Sequence, residues 1–162
     1  MKRAVLFAVL AFAVAALVGV SAASAAPGGT GHTVTQTDNF HGTQTTSDVN
    51  PCTGNTIDLN ETSNIVQHVT FFPGGDEVWG TFTEEDKVVG TDEGTGVVYT
   101  GRSTEWGNFN VNERNANDTF TASIHVTGSD GSSITYHEVA HESLDLNGNL
   151  TVQFDKPSLT CG

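Results

Sequence analysis

Between its two cysteines the chain repeats a rhythm of Thr- and Val-rich runs separated by short turn signals. Apolar and polar residues alternate along these runs, and residues 119–127 show the alternation clearly. A period of two is typical of β-strands that bury one face. The turn signals FPGGDE, GTDEGTG, NAND at 115–118, GSDGSS and LNGN are typical of hairpin connections. The sequence therefore predicts an all-β protein built from consecutive antiparallel hairpins.

These runs define the expected strands. One run precedes Cys52 and six follow it, and together they cover 33–47, 55–72, 77–89, 96–112, 119–127, 133–146 and 149–160. A meander of six strands crosses the sheet an even number of times, so Cys161 is expected to lie beside Cys52. Such a meander most simply closes into a barrel, which removes exposed sheet edges. We therefore predict an antiparallel up-and-down meander closed into a single β-barrel, with a β-sandwich as the alternative.

The first 25 residues have the features of a secretory signal peptide. Lys2 and Arg3 are followed by an apolar run over 4–20, and the small-residue motif ASA ends at position 25. A membrane anchor is the alternative, because the apolar stretch approaches the roughly 20 residues that cross a bilayer. The small residues in its last third and the Pro27 that follows favour cleavage. We therefore expect a secreted, extracellular protein.

Removal of the signal peptide leaves a chain of the size of one domain with one core. Residues 26–32 are rich in Gly and are expected to form a flexible leader. The expected organisation is a signal peptide at 1–25, the leader at 26–32 and a single β-barrel domain at 33–162.

The expected mature chain is strongly acidic. Only Lys87, Arg102, Arg114 and Lys156 remain after cleavage, against 19 Asp and Glu residues. Nucleic acids and anionic lipids bind proteins through Lys and Arg. We therefore expect no nucleic-acid partner and no membrane partner once the signal peptide is removed. A solvated surface that keeps an extracellular protein soluble accounts for most of the acidity.

Cys52 and Cys161 are expected to form one disulfide. An exported protein meets an oxidising environment. A metal-binding or redox pair would favour C-x-x-C spacing, whereas most of the mature chain separates these two thiols. A bridge that closes so long a loop contributes about 4 kcal/mol in the chain-entropy treatment.

The segment HEVAH at 137–141 matches the H-E-x-x-H pattern of zinc metalloproteases. On a helix, His137 and His141 would lie about 6 Å apart and could bind one zinc ion. On a strand the same two residues lie about 13 Å apart. The β-branched residues of SSITY before the motif and the NG hairpin signal after it favour a strand. We therefore expect no metal or other cofactor, and a zinc-dependent hydrolase that uses His137, Glu138 and His141 is the alternative.

The same alternation predicts which acidic residues face the interior. If Tyr136 faces inward, Glu138 and Glu142 share its face. Glu61 and Glu105 fall on the apolar face of their own strands. Buried carboxylates are costly unless they are paired, hydrogen-bonded or protonated, so inward acids would indicate a polar, hydrated interior. The alternative is that a bulge shifts the alternation and leaves these acids at the wet ends of the barrel.

The remaining candidate motifs carry less information. Ser103 lacks the G-x-S-x-G context of serine hydrolases, so the sequence offers no catalytic nucleophile. Four aromatic residues are expected, as a set, to pack in the core or in hairpins rather than to form a ligand site. They are Trp79, Trp106, Tyr99 and Phe109.

The order of several elements resembles that in a family of small secreted bacterial proteins of unknown function. These elements are the signal peptide, NPCTG around Cys52, VGTDEGTGVVYTG at 89–101, an H-x-x-x-H strand, the LNGNLTV hairpin and a C-terminal SLTC. The resemblance covers nearly the whole mature chain, but its motifs are structural and bring no catalytic residues. It implies a β-barrel of lipocalin-like or cyclase-like shape with an ordinary strand at HEVAH, and such an architecture does not by itself define a function.

The expected function is the binding of a small, partly apolar molecule in the lumen of a secreted barrel. Candidate lining residues are Glu61, Tyr99, Glu138 and Glu142. A lumen lined by carboxylates would favour a neutral or cationic ligand over an anion. The alternatives are an enzyme, either the zinc hydrolase or one that uses lumen carboxylates, and a cell-surface interaction module with a Thr-rich outer face. The sequence leaves the oligomeric state open.

Overall fold

The structure is a computed structural model that describes residues 31–145 and 147–162. The predicted signal peptide and most of the predicted leader, residues 1–30, lie outside the described residues. The described chain forms seven strands: β1 (Val34–Val49), β2 (Thr56–Phe71), β3 (Glu77–Asp92), β4 (Val98–Asn112), β5 (Asn115–Gly128), β6 (Ser133–Asp145) and β7 (Leu150–Cys161). Among these residues no helix has the length and apolar character needed to cross a membrane.

All seven strands belong to one antiparallel sheet whose order follows the chain from β1 to β7. The predicted all-β meander is therefore confirmed, and each predicted run corresponds to one strand. The largest difference is at β5, which begins at Asn115 rather than at 119. The NAND segment that was expected to form a turn continues the ladder between β5 and β6, and Glu113 and Arg114 make the connection instead.

The meander is not closed into a barrel by hydrogen bonds. Each strand pairs with its neighbours in sequence, and among the described strands no ladder joins β1 to β7. Every residue of β7 is exposed, as expected for an open sheet edge. A sandwich of two separate sheets is likewise not found in the described part of the chain, where one sheet contains all the strands.

The sheet is curled so that one of its faces is concave. Ile57 on β2 and Ile134 on β6 belong to one buried apolar cluster, which also contains Val88, Tyr99 and Val126 from the strands between them. In a flat sheet, strands four places apart would be separated by about 19 Å, because neighbouring strands are spaced by about 4.8 Å. Side chains on this concave face therefore meet across the interior, and the opposite, convex face is turned to solvent.

Glycine at position 101 permits a close approach between β4 and β5. A Cβ atom built on Gly101 would lie 2.0 Å from the carbonyl oxygen of His125. Gly42, in the middle of β1, also lies on the concave side of its strand, but a Cβ atom there would meet nothing within 4 Å. The close packing of β4 against β5 therefore requires glycine at position 101, whereas position 42 has room for a side chain.

A buried carboxylate joins the β1–β2 and β3–β4 turns at one end of the sheet. Asp92, fully buried at the end of β3, receives hydrogen bonds from both turns. The donors are Asn50 Nδ2 (2.8 Å), Thr53 Oγ1 (2.6 Å), Asn55 Nδ2 (2.8 Å), Gly94 N (3.0 Å) and Thr95 N (2.9 Å). These bonds, that of Thr53 above all, hold the pKa of Asp92 well below its ordinary value. The NPCTG and GTDEGTG elements are therefore two parts of one junction.

The predicted disulfide is confirmed. Cys52 lies in the β1–β2 turn and Cys161 ends β7; their Cα atoms are 5.8 Å apart and their sequence separation is 109. The bond attaches the last strand to the turn that the Asp92 carboxylate organises. It therefore fixes the otherwise open β7 edge at one end of the sheet.

We predict that the double substitution Cys52→Ser and Cys161→Ser lowers the free energy of unfolding by about 4 kcal/mol, because the unfolded chain is no longer closed into a long loop. Urea unfolding followed by far-UV circular dichroism measures this change, and the variant should retain its β-sheet signal. Intact-mass measurement of freshly exported protein is the control. Two free thiols in that sample would contradict the pairing.

We predict that Gly101→Ala destabilises the protein by about 2 kcal/mol or more, because the new methyl group would overlap the β5 backbone. Gly42→Ala is the matched control: it adds the same group to the same face of the sheet with no atom in contact. The melting temperatures of the two variants provide the comparison. Equal melting temperatures would show that the close approach at position 101 does not limit the fold.

Candidate functional site

Carboxylates from four strands gather in the middle of the concave face. They form a carboxylate belt consisting of Glu61 on β2, Glu84 and Asp86 on β3, Glu105 on β4 and Glu138 on β6. Glu84 and Glu105 are directly opposite each other in the ladder between β3 and β4. Apolar residues lie on both sides of the belt along the strands. The Ile57 cluster is on one side, and buried Val69, Phe82 and Ala140 are on the other.

The structure supports the predicted inward facing of Glu61, Glu105 and Glu138, whereas Glu142 is only partly buried. Glu61, Glu105 and Glu138 are buried on the concave face, so a bulge does not move them to the wet ends of the sheet. A register shift does occur further along β6, between Ser143 and Leu144. Just before it, Glu142 is partly exposed and accepts a hydrogen bond from Gln153 Nε2 at 3.1 Å.

Sequence reasoning missed Glu84 and Asp86. They stand in the polar run TEEDK, which hides the apolar alternation of β3. The signal that could have found them is their even spacing from Phe82 and Val88, which are buried on the same face. Residues i, i+2 and i+4 of a strand share one face, so these two acids had to face inward with their apolar neighbours.

The belt has polar partners but no cation from its own strands. Gln44 Nε2 donates to Glu61 Oε2 at 2.9 Å, and the hydroxyl of Tyr136 donates to Glu138 Oε2 at 2.6 Å. The Ser103 hydroxyl donates to Asp86. The basic residues of β3 and β4 are Lys87 and Arg102, which are exposed. Each lies one position away from an inward-facing residue of its strand and so points to the opposite face of the sheet. They lie on the convex face, so they do not neutralise the belt.

Burial raises the pKa values of the four glutamates of the belt. It raises the pKa of Glu84 to about 7, and the charge of Asp86 adds to the effect. It also raises the pKa of Glu105 to about 7, with a further contribution from the Glu84 charge. The pKa values of Glu61 and Glu138 are raised as well, chiefly by burial. Glu84 and Glu105 therefore exchange protons near neutral pH.

A small cavity lies between the belt and the junction end of the sheet. Its volume is about 80 Å³, room for a few water molecules or a ligand group of a few heavy atoms. Residues from β1 to β6 and the β1–β2 turn line it: Asp48, Val49, Pro51, Ile57, Leu59, Glu61, Val88, Gly90, Tyr99, Ile124, Val126, Ile134 and Tyr136. Its walls are therefore mostly apolar, with Glu61 facing it from the belt.

The cavity brings together some of the predicted ligand-binding residues. Glu61 and Tyr99 both line it. Glu138 is not in the lining but is linked to it through the hydroxyl of Tyr136, which lines the cavity. Burial raises the pKa of Tyr136, and the hydrogen bond to Glu138 adds to this effect. The phenol therefore stays protonated and acts as the donor of the hydrogen bond to Glu138. Glu142 lies further along β6 and is not part of this site.

The HEVAH segment forms part of strand β6, as the residues around it predicted. His137 and His141 lie on the convex face, where their Nδ1 atoms are bonded to Ser123 Oγ (2.9 Å) and Thr119 Oγ1 (2.7 Å). Glu138 is buried on the opposite face. Within the described ranges, no three His, Cys, Asp or Glu side chains are placed to hold a metal ion. The structure therefore does not assemble the residues that a zinc hydrolase would need.

Comparisons with known proteins add no relative. No protein-family model matches the chain, and no curated protein or solved structure matches it. The functional argument therefore depends on the geometry of the chain itself.

We predict that the protein is more stable near pH 5 than near pH 8, by a few kcal/mol. The native carboxyls of Glu84 and Glu105 keep their protons up to about pH 7, whereas the ordinary pKa is 4.5. Between these values the native state binds more protons than the unfolded state, so stability falls as the pH rises. Urea unfolding across this range measures the slope.

The double variant Glu84→Gln and Glu105→Gln should lose most of this pH dependence, because the amides do not titrate. Glu85→Gln is the matched control, since Glu85 lies between the belt residues of β3 but is exposed on the convex face. A double variant with the slope of the unmodified protein would contradict the assignment of the titration to the belt.

Proposed function

We propose that the protein binds a small, partly apolar molecule, neutral or positively charged, inside the curled sheet. The observation that carries this proposal is the meeting of an apolar-walled cavity with a belt of carboxylates, on a face where the seven described strands place no Lys, Arg or His. An apolar group fits the cavity between Ile57, Val88 and Ile134. A cationic or hydrogen-bonding group of the same ligand would meet Glu61 and the belt.

Charge determines the class of ligand. An anion would be placed beside several carboxylates in a medium of low dielectric constant, where like charges repel strongly. A cation would stabilise the ionised form of Glu84 and Glu105 and would lower their raised pKa values. Binding of a cation should therefore release protons, and its affinity should increase as the pH rises through about 7.

Two unsatisfied atoms of the belt support a polar group of the ligand beside the cavity. The buried atoms Asp86 Oδ1 and Glu105 Oε1 have no hydrogen-bond partner among residues 31–145 and 147–162, and both residues lie in the belt rather than in the cavity lining. Buried polar atoms are rarely left without partners in proteins, because each one costs about 1–3 kcal/mol. A ligand or water molecules in the belt would supply the missing partners.

The open side of the sheet provides a route to the interior. Phe40 on β1 and Leu159 on β7 belong to the concave face but are 52% and 44% exposed. The cavity itself accepts only a small group, so the rest of a longer ligand would extend between these two strands. In this proposal the molecule is a barrel of lipocalin-like shape that is open along one side. It acts outside the cell, where its disulfide is stable.

Three probes of matched length test the charge preference: hexylamine, hexanol and hexanoate. We predict that the amine and the alcohol raise the melting temperature of the mature protein and that hexanoate does not. Glu61→Gln should reduce the stabilisation by the amine and leave that by the alcohol largely unchanged. The convex-face variant Glu85→Gln should behave as the unmodified protein.

Native mass spectrometry of protein purified from its own host complements the probes, because a retained natural ligand would appear as an added mass that is lost on denaturation. Equal stabilisation by hexanoate would contradict the charge argument. If no probe shifts the melting temperature and no added mass is found, the interior is packed core and the proposal is wrong.

A further inference from the structure

Two tryptophans stand on the convex face, away from the interior. Trp79 on β3 and Trp106 on β4 are 51% and 54% exposed. Neither tryptophan packs in the core, so that part of the expectation is wrong for both, whereas packing within a hairpin is found for Trp79, whose ring contacts Phe72 of the β2–β3 turn. Both positions follow the alternation of their strands. Gly80 next to Trp79, and Glu105 next to Trp106, are buried on the concave side, so the two indoles point to the convex side. A large indole surface in water is unusual unless it contacts something, and exposed apolar patches commonly mark interaction sites.

Contacts fix the ring of Trp79 in place. Its Nε1–H donates to Glu77 Oε1 at 2.7 Å, and Asn110 Nδ2 donates to the same oxygen at 3.4 Å. The ring of Phe72 packs against it edge-on, with centroids 5.0 Å apart and an interplanar angle of 62°. The indole is therefore held in position before any partner arrives, which reduces the entropic cost of binding.

Neutral polar side chains lie between the two indoles. In the ladder between β3 and β4, Trp79 is opposite Asn110, Thr81 is opposite Asn108, and Thr83 is opposite Trp106. Trp106 is thus four residues along β4 from the partner of Trp79, a distance of about 13 Å. We call the surface formed by Trp79, Trp106 and the residues between them the tryptophan face.

A shallow depression of about 540 Å³ lies at the Trp79 end of the tryptophan face, and Trp106 stands beyond its edge. Its lining comprises His68, Thr70, Trp79, Gly80, Thr81, Asn108, Phe109 and Asn110. None of these residues is an acid, a lysine or an arginine. The hydroxyl, amide and imidazole groups can both donate and accept hydrogen bonds. The depression therefore suits a ligand that is rich in hydroxyl groups and carries no charge.

We propose that the tryptophan face binds a neutral polysaccharide chain. Sugar rings present C–H groups on their faces, which stack on the electron-rich face of an indole, and hydroxyl groups at their edges, which bond to Asn, Thr and His. The distance between the two indoles exceeds one sugar ring, so the site takes an oligosaccharide rather than a single sugar. The strongly acidic chain repels acidic polysaccharides, and this favours a neutral one.

The site is independent of the proposed interior site, because the two lie on opposite faces of the same strands. The test uses the mature protein and insoluble cellulose, chitin, mannan and starch as probes, with retention measured after washing in high salt. We expect retention on at least one of them. Trp79→Ala combined with Trp106→Ala should weaken that binding by about tenfold or more.

Val89→Ala is the matched control, since Val89 is an exposed apolar residue of β3 outside the depression. It should bind as the unmodified protein does. The melting temperature of the tryptophan variant and its response to hexanol verify that the fold and the interior are intact. A variant that carries Trp79→Phe alone should retain more binding than the double alanine variant, because an aromatic face remains at position 79.

Either of two results on these probes would overturn the proposal: the unmodified protein is retained by none of the four polysaccharides, or the tryptophan variant is retained equally. A third is a dimer in solution that dissociates when both tryptophans are replaced, because a second copy of the chain would then be the occupant of this face.

Discussion

The curl of the sheet depends on the junction at which the buried carboxylate of Asp92 binds two turns at once. Its five donors belong to segments that precede β2 and follow β3, and Cys52 in the first of them is bonded to Cys161 at the end of β7. Without this junction a seven-stranded meander could remain an open, twisted sheet with two free edges. With it, one end of β7 is held near the start of β2, and the concave face can exclude water.

Once the face is concave, its polar residues acquire properties that they would not have on a flat sheet. Glu84 and Glu105, opposite each other on neighbouring strands, would be ordinary solvated acids in water. In the interior, burial raises both pKa values to about 7. A hydrophobic belt of the same volume would stabilise the fold more, because no charged groups would have to be desolvated. The belt acids therefore lower the stability of the fold, which agrees with the binding role proposed for them.

The alternation of a strand gives the protein two surfaces with different chemistry. On β3 and β4, the residues that face inward include the belt acids and Gly101, and those that face outward include Trp79, Trp106, Thr81 and Asn108. The interior is acidic and concave, whereas the depression on the tryptophan face is lined by uncharged polar and aromatic residues and is exposed. One thin sheet can therefore present a small-molecule site and a polymer-binding surface that share no side chain, although both depend on the same backbone.

Local patterns in the sequence determined the strands, their antiparallel order, the disulfide and the facing of Glu61, Glu105 and Glu138, because strand alternation and hairpin turns are properties of neighbouring residues. They did not determine that β1 and β7 remain unpaired, that the acids of β2, β3, β4 and β6 meet in one belt, or that Asp92 joins two turns. Those features depend on which strands meet across the curl and on which turns the Asp92 carboxylate draws together. Residues distant in sequence set them, and only the tertiary structure brings such residues into contact.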